Sequence, residues 1–247
     1  MTTRYGIDVS KHQGNIDWTK VKNSGKVDFA ILRAGYGKVI SQKDSRFEEY
    51  YMECQKNQIP VGAYWYSYAM TPEEARQEAA VFLQVLKGKQ FAYPVYFDLE
   101  EPKQFALGKA KCSAIAKAFL ETIEQAGYFV GLYMSKSALE SYITEDIRNR
   151  YAVWVAHYGV NKTSYAGQFG IWQKSDTGCV PGISGNVDLD ECYQDYPVLI
   201  QNVGLNGFVK SEPVKPDKMP EPAIKQEKYF SVSVDGKTYS GTLTEDV

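Results

Sequence analysis

The sequence predicts an α/β fold in which eight strands close into a barrel and only the first five are each followed by a helix. Three observations carry this expectation. Short apolar runs alternate with longer segments of helical character from the N-terminus onward, the pattern of βα units around a parallel sheet. Beyond about Tyr151 the helical signal stops while strand-like runs continue. Eight is also the strand number at which a closed barrel is just filled by its own side chains. A TIM-like barrel with an incomplete helical ring therefore fits better than an open, doubly wound sheet.

Taken in order, strands are expected near Tyr5–Ser10, Phe29–Gly35, Val61–Tyr68, Pro94–Glu100, Phe129–Ser135, Ala152–Tyr158, Gly170–Lys174 and Val187–Asp190. Helices are expected near Asp17–Asn23, Lys43–Asn57, Pro72–Leu86, Lys109–Gln125 and Ser137–Arg148. Pro72 suits a first helical turn, and the charge run EEARQE that follows it reads as a solvated helix face. Past Pro197 the character changes. Residues 211–222, SEPVKPDKMPEP, hold four of the ten prolines, a composition that extends a chain. In KYFSVSVDGKTYSGTL, Asp235-Gly236 separates two alternating runs and marks a hairpin. The expected organisation is a barrel over 1–197, an extended linker over 198–227 and a β-hairpin tail over 228–247.

Composition narrows the function. The 28 Lys and Arg nearly balance 30 Asp and Glu, so no polybasic surface points to nucleic acid or to an anionic membrane. No apolar run reaches the roughly 18 residues of a membrane span. The opening MTTRYGIDVS has neither a basic region nor an apolar core of a signal peptide. Synthesis in the cytoplasm, with any action outside following release or holin-type export, is the matching expectation. Cys54, Cys112, Cys179 and Cys192 form no CxxC pair and only two histidines are present, so a metal site is not expected. Cys179 and Cys192 flank a Gly-rich loop and would pair only after export; buried free thiols are the simpler reading. Tyrosine is in excess, 19 against 11 Phe and 4 Trp. A flat apolar ring carrying a hydroxyl suits a wet, aromatic-lined groove.

The chemistry emerges from a parity shared by several strands. In GIDVS, Ile7 and Val9 alternate with Asp8 and Ser10; in VYFDLE, Phe97 and Leu99 alternate with Tyr96, Asp98 and Glu100. In AVWVAHY, Val153 and Val155 alternate with Trp154, Ala156 and Tyr158; in VDLD, Val187 and Leu189 alternate with Asp188 and Asp190. Strand period is two, so one side of each strand is aliphatic and the other acidic or aromatic. With the aliphatic side against the helices, Asp8, Asp98, Glu100 and Asp188 converge on the barrel axis. Each is read as lying at the C-terminal end of its strand, where barrel active sites form. Paired acids without a metal set suit acid–base work on a glycosidic bond. Asp98 and Glu100 share a face with Cα atoms roughly 6.5 Å apart. Glu100, with the longer reach, is the expected proton donor, and Asp98 remains ionised to stabilise positive charge. Retention and inversion both stay open at this spacing.

These segments, YGIDVSKHQGNIDW, FAILRAGYG, VGAYWY, YFDLE, WVAHY, IWQ and VDLD, together resemble glycoside hydrolase family 25, the N-acetylmuramidases (lysozymes) of phage endolysins and bacterial wall enzymes. The likeness runs in order over roughly residues 4–193. It implies cleavage of the β-1,4 bond between N-acetylmuramic acid and N-acetylglucosamine, with peptidoglycan glycan strands as partner and no cofactor. It also implies that Asp8, Asp98, Glu100 and Asp188 are the catalytic acids. Glu100 would protonate the leaving oxygen, Asp98 would stabilise an intermediate formed by the substrate's acetamido group, and Asp8 and Asp188 would tune the site.

Other positions are expected to bind substrate. Tyr64 and Tyr66 share parity on the third strand and would flank the groove, as would Trp154 and Tyr158 on the sixth. Arg33 points inward if Leu32 and Ala34 face the helices, and is expected to pair with one of the acids. Gln173 is assigned by the IWQ segment of the resemblance, and His12 reads as a loop hydrogen-bonder. Two other readings are a chitinase-like glycosidase and a non-catalytic glycan-binding barrel. PVYF before Asp98 lacks the upstream acids of the first, and the complete set of acids speaks against the second. Nucleic-acid binding and membrane insertion are not expected, and the oligomeric state stays open.

Overall fold

The computed structural model describes residues 2–210 and the strand backbones 228–234 and 237–243. Eight strands close in chain order: β1 (Arg4–Val9), β2 (Phe29–Tyr36), β3 (Val61–Tyr66), β4 (Val95–Asp98), β5 (Val130–Ser135), β6 (Ala152–Ala156), β7 (Ile171–Gly178) and β8 (Val187–Cys192). Outside them lie α1 (Trp18–Asn23), α2 (Phe47–Lys56), α3 (Pro72–Leu86), α4 (Pro102–Phe105), α5 (Lys109–Gln125), α6 (Lys136–Tyr142) and α7 (Glu145–Arg150). No helix separates β6 from β7 or β7 from β8, so the helical ring is incomplete as expected.

Three features depart from the sequence reading. β1 to β7 are parallel to their neighbours, but β8 runs antiparallel to both β7 and β1. A parallel return needs a crossover of about a dozen residues or more, and residues 179–186 are too few. The helix expected over 137–148 is two, because Ile143 is fully buried in extended conformation and Thr144 restarts the helix. Residues 198–203, read as the start of a linker, belong to α8 (Tyr196–Val203). Asp195 caps α8, Pro197 sits in its first turn, and Gly204 ends it at φ 72°, where a side chain would be strained. The compact unit accordingly runs to Ser211 rather than ending at Pro197.

Strand parity divides the core into two layers. Ile7, Val9, Leu32, Ala63, Trp65, Val95, Phe97 and Leu132 face the helices and pack on Phe47, Phe82 and Phe119. The inward residues Phe29, Ile31, Tyr96, Tyr133, Trp154 and Ile171 fill the barrel. Space for these rings comes from glycine. A Cβ at Gly6 would lie 2.3 Å from the Phe29 ring, and one at Gly131 would lie 2.5 Å from Tyr96. At the closed end Phe29 stacks on Tyr93 at 4.2 Å, and Tyr196 of α8 packs edge-on against Tyr93 and Phe129.

All four cysteines are free. Cys192 is buried in the barrel interior while Cys179 is exposed, so the pairing weighed from sequence does not form. The second unit, Glu212–Val247, contains β9 (Lys228–Val234) and β10 (Lys237–Leu243), paired antiparallel with Val232 opposite Tyr239. The expected Asp235-Gly236 turn and the stretch 211–227 lie outside the described residues.

Asn206 locks the closed end. It is fully buried in a left-handed conformation at φ 55°. Its side-chain amide donates to the Phe91 and Tyr93 carbonyls, each at 3.0 Å, and its oxygen accepts from Phe129 N–H at 2.6 Å. Asn206→Ala strands three buried backbone groups and is expected to cost about 3 kcal/mol. Urea unfolding should show a lowered midpoint with an unchanged slope.

Candidate active site

The rim of the barrel gathers the C-terminal ends of β1 to β7 and the N-terminal end of β8. Asp8 lies next to the last residue of β1, Asp98 is the last of β4, and Glu100 lies two residues beyond it. β4 thus ends earlier than the sequence indicates, and Glu100 stands on the following loop. Asp188 is the second residue of β8, not near its end as expected. The antiparallel direction of that strand still brings it to the rim, directly opposite Asp8.

A cavity of about 230 Å³ opens there. Asp8, Arg33, Tyr64, Tyr66, Asp98, Glu100, Trp154, Gln173 and Asp188 all line it, together with His12 and Tyr133. Tyr158 lies at the edge, 41% exposed, with its hydroxyl on Gln173. Trp154 is 1% exposed, wedged among Tyr64, Tyr96 and Tyr133, so it forms the floor rather than an open stacking platform.

One neutral side chain organises the acids. Gln173 accepts from the hydroxyls of Tyr133, at 2.7 Å, and Tyr158, so its amide NH₂ must face the other way. There it donates to Asp8 Oδ2 at 2.7 Å. Arg33 is not bound to any of the four acids, contrary to expectation. After β2 the chain doubles back, with Asp44 N–H on the Ala34 carbonyl, and this seats Asp44 beside Arg33. Arg33 Nε donates to Asp44 Oδ2 at 2.7 Å, and Asp44 also accepts from the amides of Lys11 and Arg46.

Electrostatics follow from this shortage of cations. Two carboxylates opposite one another on a strand pair, about 5 Å apart, repel by about 3 kcal/mol at an effective dielectric of about 20. Burial, then the charges of Asp190 and Asp188, pushes Asp8 well above the usual carboxylate range. Burial and the neighbouring Glu100 raise Asp98 strongly, with Arg33 opposing them from a distance. Glu100 is open to the groove, yet the crowded mouth, Glu101 and Asp188 raise its carboxyl too. Asp98 Oδ1 is buried and meets no donor from the protein. The site therefore combines an exposed carboxyl raised above its ordinary range with a deeper one, raised more strongly, whose Oδ1 meets no protein donor.

Several contributors escaped the sequence reading. Tyr133 had the right parity, with Leu132 and Met134 outward, but nothing acidic marked its strand. Glu101 accepts the Tyr66 hydroxyl at 2.6 Å. Its own amide contacts Gln104, whose side chain binds Ser67 Oγ and the Ala69 carbonyl. Ser67 Oγ in turn donates to Glu78 at 2.7 Å. Glu78 belongs to the EEARQE run read as solvated, but it is 2% exposed, sharing the inner stripe of α3 with Ala75, Ala79 and Phe82. The network ties the end of β3 at Tyr66 and the following loop with Tyr68 to the loop bearing Glu100. Among the described residues, no group of three or more His, Cys, Asp or Glu is arranged to hold a metal ion.

A barrel with two carboxyls at the end of one strand and aromatic rings around them is the type of site that glycosidases use. The model for glycosyl hydrolases family 25 matches residues 7–183, and this chain belongs to that family. It is 28% identical over 188 residues to the autolytic lysozyme of Clostridium acetobutylicum, covering 75% of this chain and 55% of that protein. The modular autolysin LytC of Streptococcus pneumoniae, in complex with a synthetic peptidoglycan ligand, superposes with a TM-score of 0.69 at 28% identity, over 77% of this chain and 47% of that one. The bacterial lysozyme of Streptomyces coelicolor gives 0.68 at 26% identity, over 81% and 96%. The chain thus spans about half the length of the Clostridium and Streptococcus proteins.

Glu78 generates a pH prediction. Burial raises its carboxyl to about 7 despite the bonds from Ser67 and Tyr68. The folded state therefore holds a proton that the unfolded chain releases above about 4.5. Its stabilising contribution is complete below that pH and is lost as pH rises through about 7. The stability difference between wild type and Glu78→Gln should change by about 3 kcal/mol across this window, measured by urea unfolding at several pH values.

Proposed function

We propose that this chain is an N-acetylmuramidase, a lysozyme that hydrolyses the β-1,4 bond between N-acetylmuramic acid and N-acetylglucosamine in peptidoglycan. The observation that carries the reading is the division of labour between two carboxyls at the end of β4. Glu100 stands exposed on the loop after β4, and burial at the crowded mouth, then the charges of Glu101 and Asp188, raises its carboxyl. Asp98 is 3% exposed and offers a buried oxygen without a protein partner. Glu100 protonates the leaving glycosidic oxygen and, once deprotonated, takes back a proton from the water that opens the intermediate. Asp98 accepts a hydrogen bond from the substrate's acetamido N–H on the open Oδ1, which favours its ionised form against the burial that raises it, and stabilises the positive charge of the intermediate that this group forms with the sugar.

Family membership and likeness to proteins named as lysozymes support the choice of peptidoglycan over chitin. Tyr64 and Tyr66 then meet sugar faces, and Arg33, Gln173 and Tyr158 border the bound strand. The enzyme acts on the bacterial wall after its release from the cytoplasm, taking no cofactor.

Glu100→Gln should lower turnover on purified walls by about 10²–10⁴-fold, the usual contribution of a general acid, with the circular dichroism spectrum unchanged. Mass spectrometry of the wild-type digest should find reducing N-acetylmuramic acid ends. Reducing N-acetylglucosamine ends would overturn the bond assignment, and an active Glu100→Gln enzyme would overturn the acid.

A further inference from the structure

A second recess lies beside the catalytic cavity and has no part in the mechanism above. It holds about 300 Å³ between the loop after β2, which carries Val39, and the loop after β3, which carries Tyr68 and Ala69. Strand register fixes its place on the rim. Tyr66 is the neighbour of Asp98 on β4 and of Tyr36 on β2. With strands about 4.8 Å apart, the Tyr36 backbone stands roughly 10 Å along the rim from that of Asp98. Tyr68 joins the two recesses. Its ring centroid lies 5.1 Å from that of Tyr66, which lines the catalytic cavity, and 6.0 Å from that of Tyr36.

The Tyr68 ring is 49% exposed, yet its backbone is held by buried partners. Its N–H donates to Glu78 Oε1 at 2.8 Å. On either side, Ser67 N–H donates to the Asp98 carbonyl at 2.9 Å, and the Ala69 carbonyl accepts from Gln104 Nε2 at 2.8 Å. An apolar ring kept open on a fixed loop is pre-organised for a flat ligand.

The polar groups of the recess select a neutral ligand. Lys38 Nζ donates to Glu74 Oε1 at 2.7 Å, Glu74 Oε2 accepts Met70 N–H at 2.9 Å, and both oxygens of Glu78 are taken by Ser67 and Tyr68. A peptide carboxylate would have to break the Lys38–Glu74 pair to find a cation. Gln42 is differently placed. Its Oε1 accepts Val39 N–H at 3.0 Å, and among the described residues its NH₂ has no acceptor. Gly37, at φ 66°, leaves room for this amide, since a Cβ there would lie 2.5 Å from it.

We infer that this recess binds an N-acetylated hexosamine of the same glycan strand, beyond the sugars that flank the scissile bond. The pyranose face lies on Tyr68, the acetamido carbonyl accepts from the Gln42 NH₂, and the acetamido methyl enters between Val39 and Ala69. The inference rests on the muramidase reading for the identity of the strand. No group of the recess reaches the reacting bond, so it contributes equally to ground-state and transition-state binding, and its loss raises KM without lowering kcat.

On soluble glycan fragments of peptidoglycan, Tyr68→Ala should raise KM about three- to tenfold for long fragments, the worth of one aromatic contact. It should leave kcat, and the KM of the shortest fragment cleaved, unchanged, and Tyr68→Phe should behave as the wild type. A loss equal at every length, or no loss at any, overturns the site. A second measurement needs no change at Tyr68. In the Glu100→Gln chain, a β-1,4 oligomer of N-acetylglucosamine should give nuclear Overhauser contacts between an acetyl methyl and the Val39 methyls. Their absence with the oligomer bound overturns the acetamido placement. A wild type that cleaves no glycan would count against the proposed function, while the methyl contacts still report on the recess.

Discussion

The site depends on holding several carboxyls around one barrel axis with almost no positive charge. Asp8, Asp98, Glu100, Asp188 and Asp190 face or border the same interior, and the nearby guanidinium, Arg33, is spent on Asp44. Such a set survives only where protons and neutral donors replace cations. Gln173 and the Trp154 indole supply the donors, and burial beside like charges raises the carboxyls of Asp8 and Asp98. Burial and that shortage of cations raise the Glu100 carboxyl at the mouth, the direction that the proposed general acid requires.

Everything below the mouth serves to keep these groups from moving. Aromatic rings fill the barrel because glycines on the inner face of β1 and β5 leave room for them. Tyr93 and Tyr196 close the far end, and Asn206 fastens the closing segment to three backbone groups. Above, the Glu78–Ser67–Gln104 network joins the loop after β3, next to Tyr66, to the loop that carries Glu100. A buried carboxyl on α3 is thereby linked to the geometry of the groove.

Much of this was legible from alternation alone. Period-two patterning separates the inward Asp8, Arg33, Tyr64, Asp98, Trp154 and Asp188 from their aliphatic neighbours, and all of them line the cavity. Where the pattern misled, a contact distant in sequence was responsible. Trp154 has the parity of a groove residue, but neighbouring rings bury it. Glu78 sits in a charge run, but its helix face meets the β3–α3 loop. Arg33 faces the acids, but a chain reversal delivers Asp44 to it first. The tail of the barrel carried ordinary helix signals, Asp195, Pro197 and Gly204, that the nearby proline-rich composition obscured.

The sequence by itself determined the number of strands, the side that meets the axis on the clearly alternating ones, and so the place of Asp8, Asp98 and Asp188 at the cavity. Those follow from local backbone geometry, which alternates side chains regardless of what lies across the barrel. Only the tertiary structure decided the direction of β8, the pairing of Asp8 with Asp188, the orientation of Gln173 and the partner of Arg33. These are facts about which groups meet after closure. Between carboxyls in a low-dielectric interior, such meetings rather than residue type determine where the protons reside.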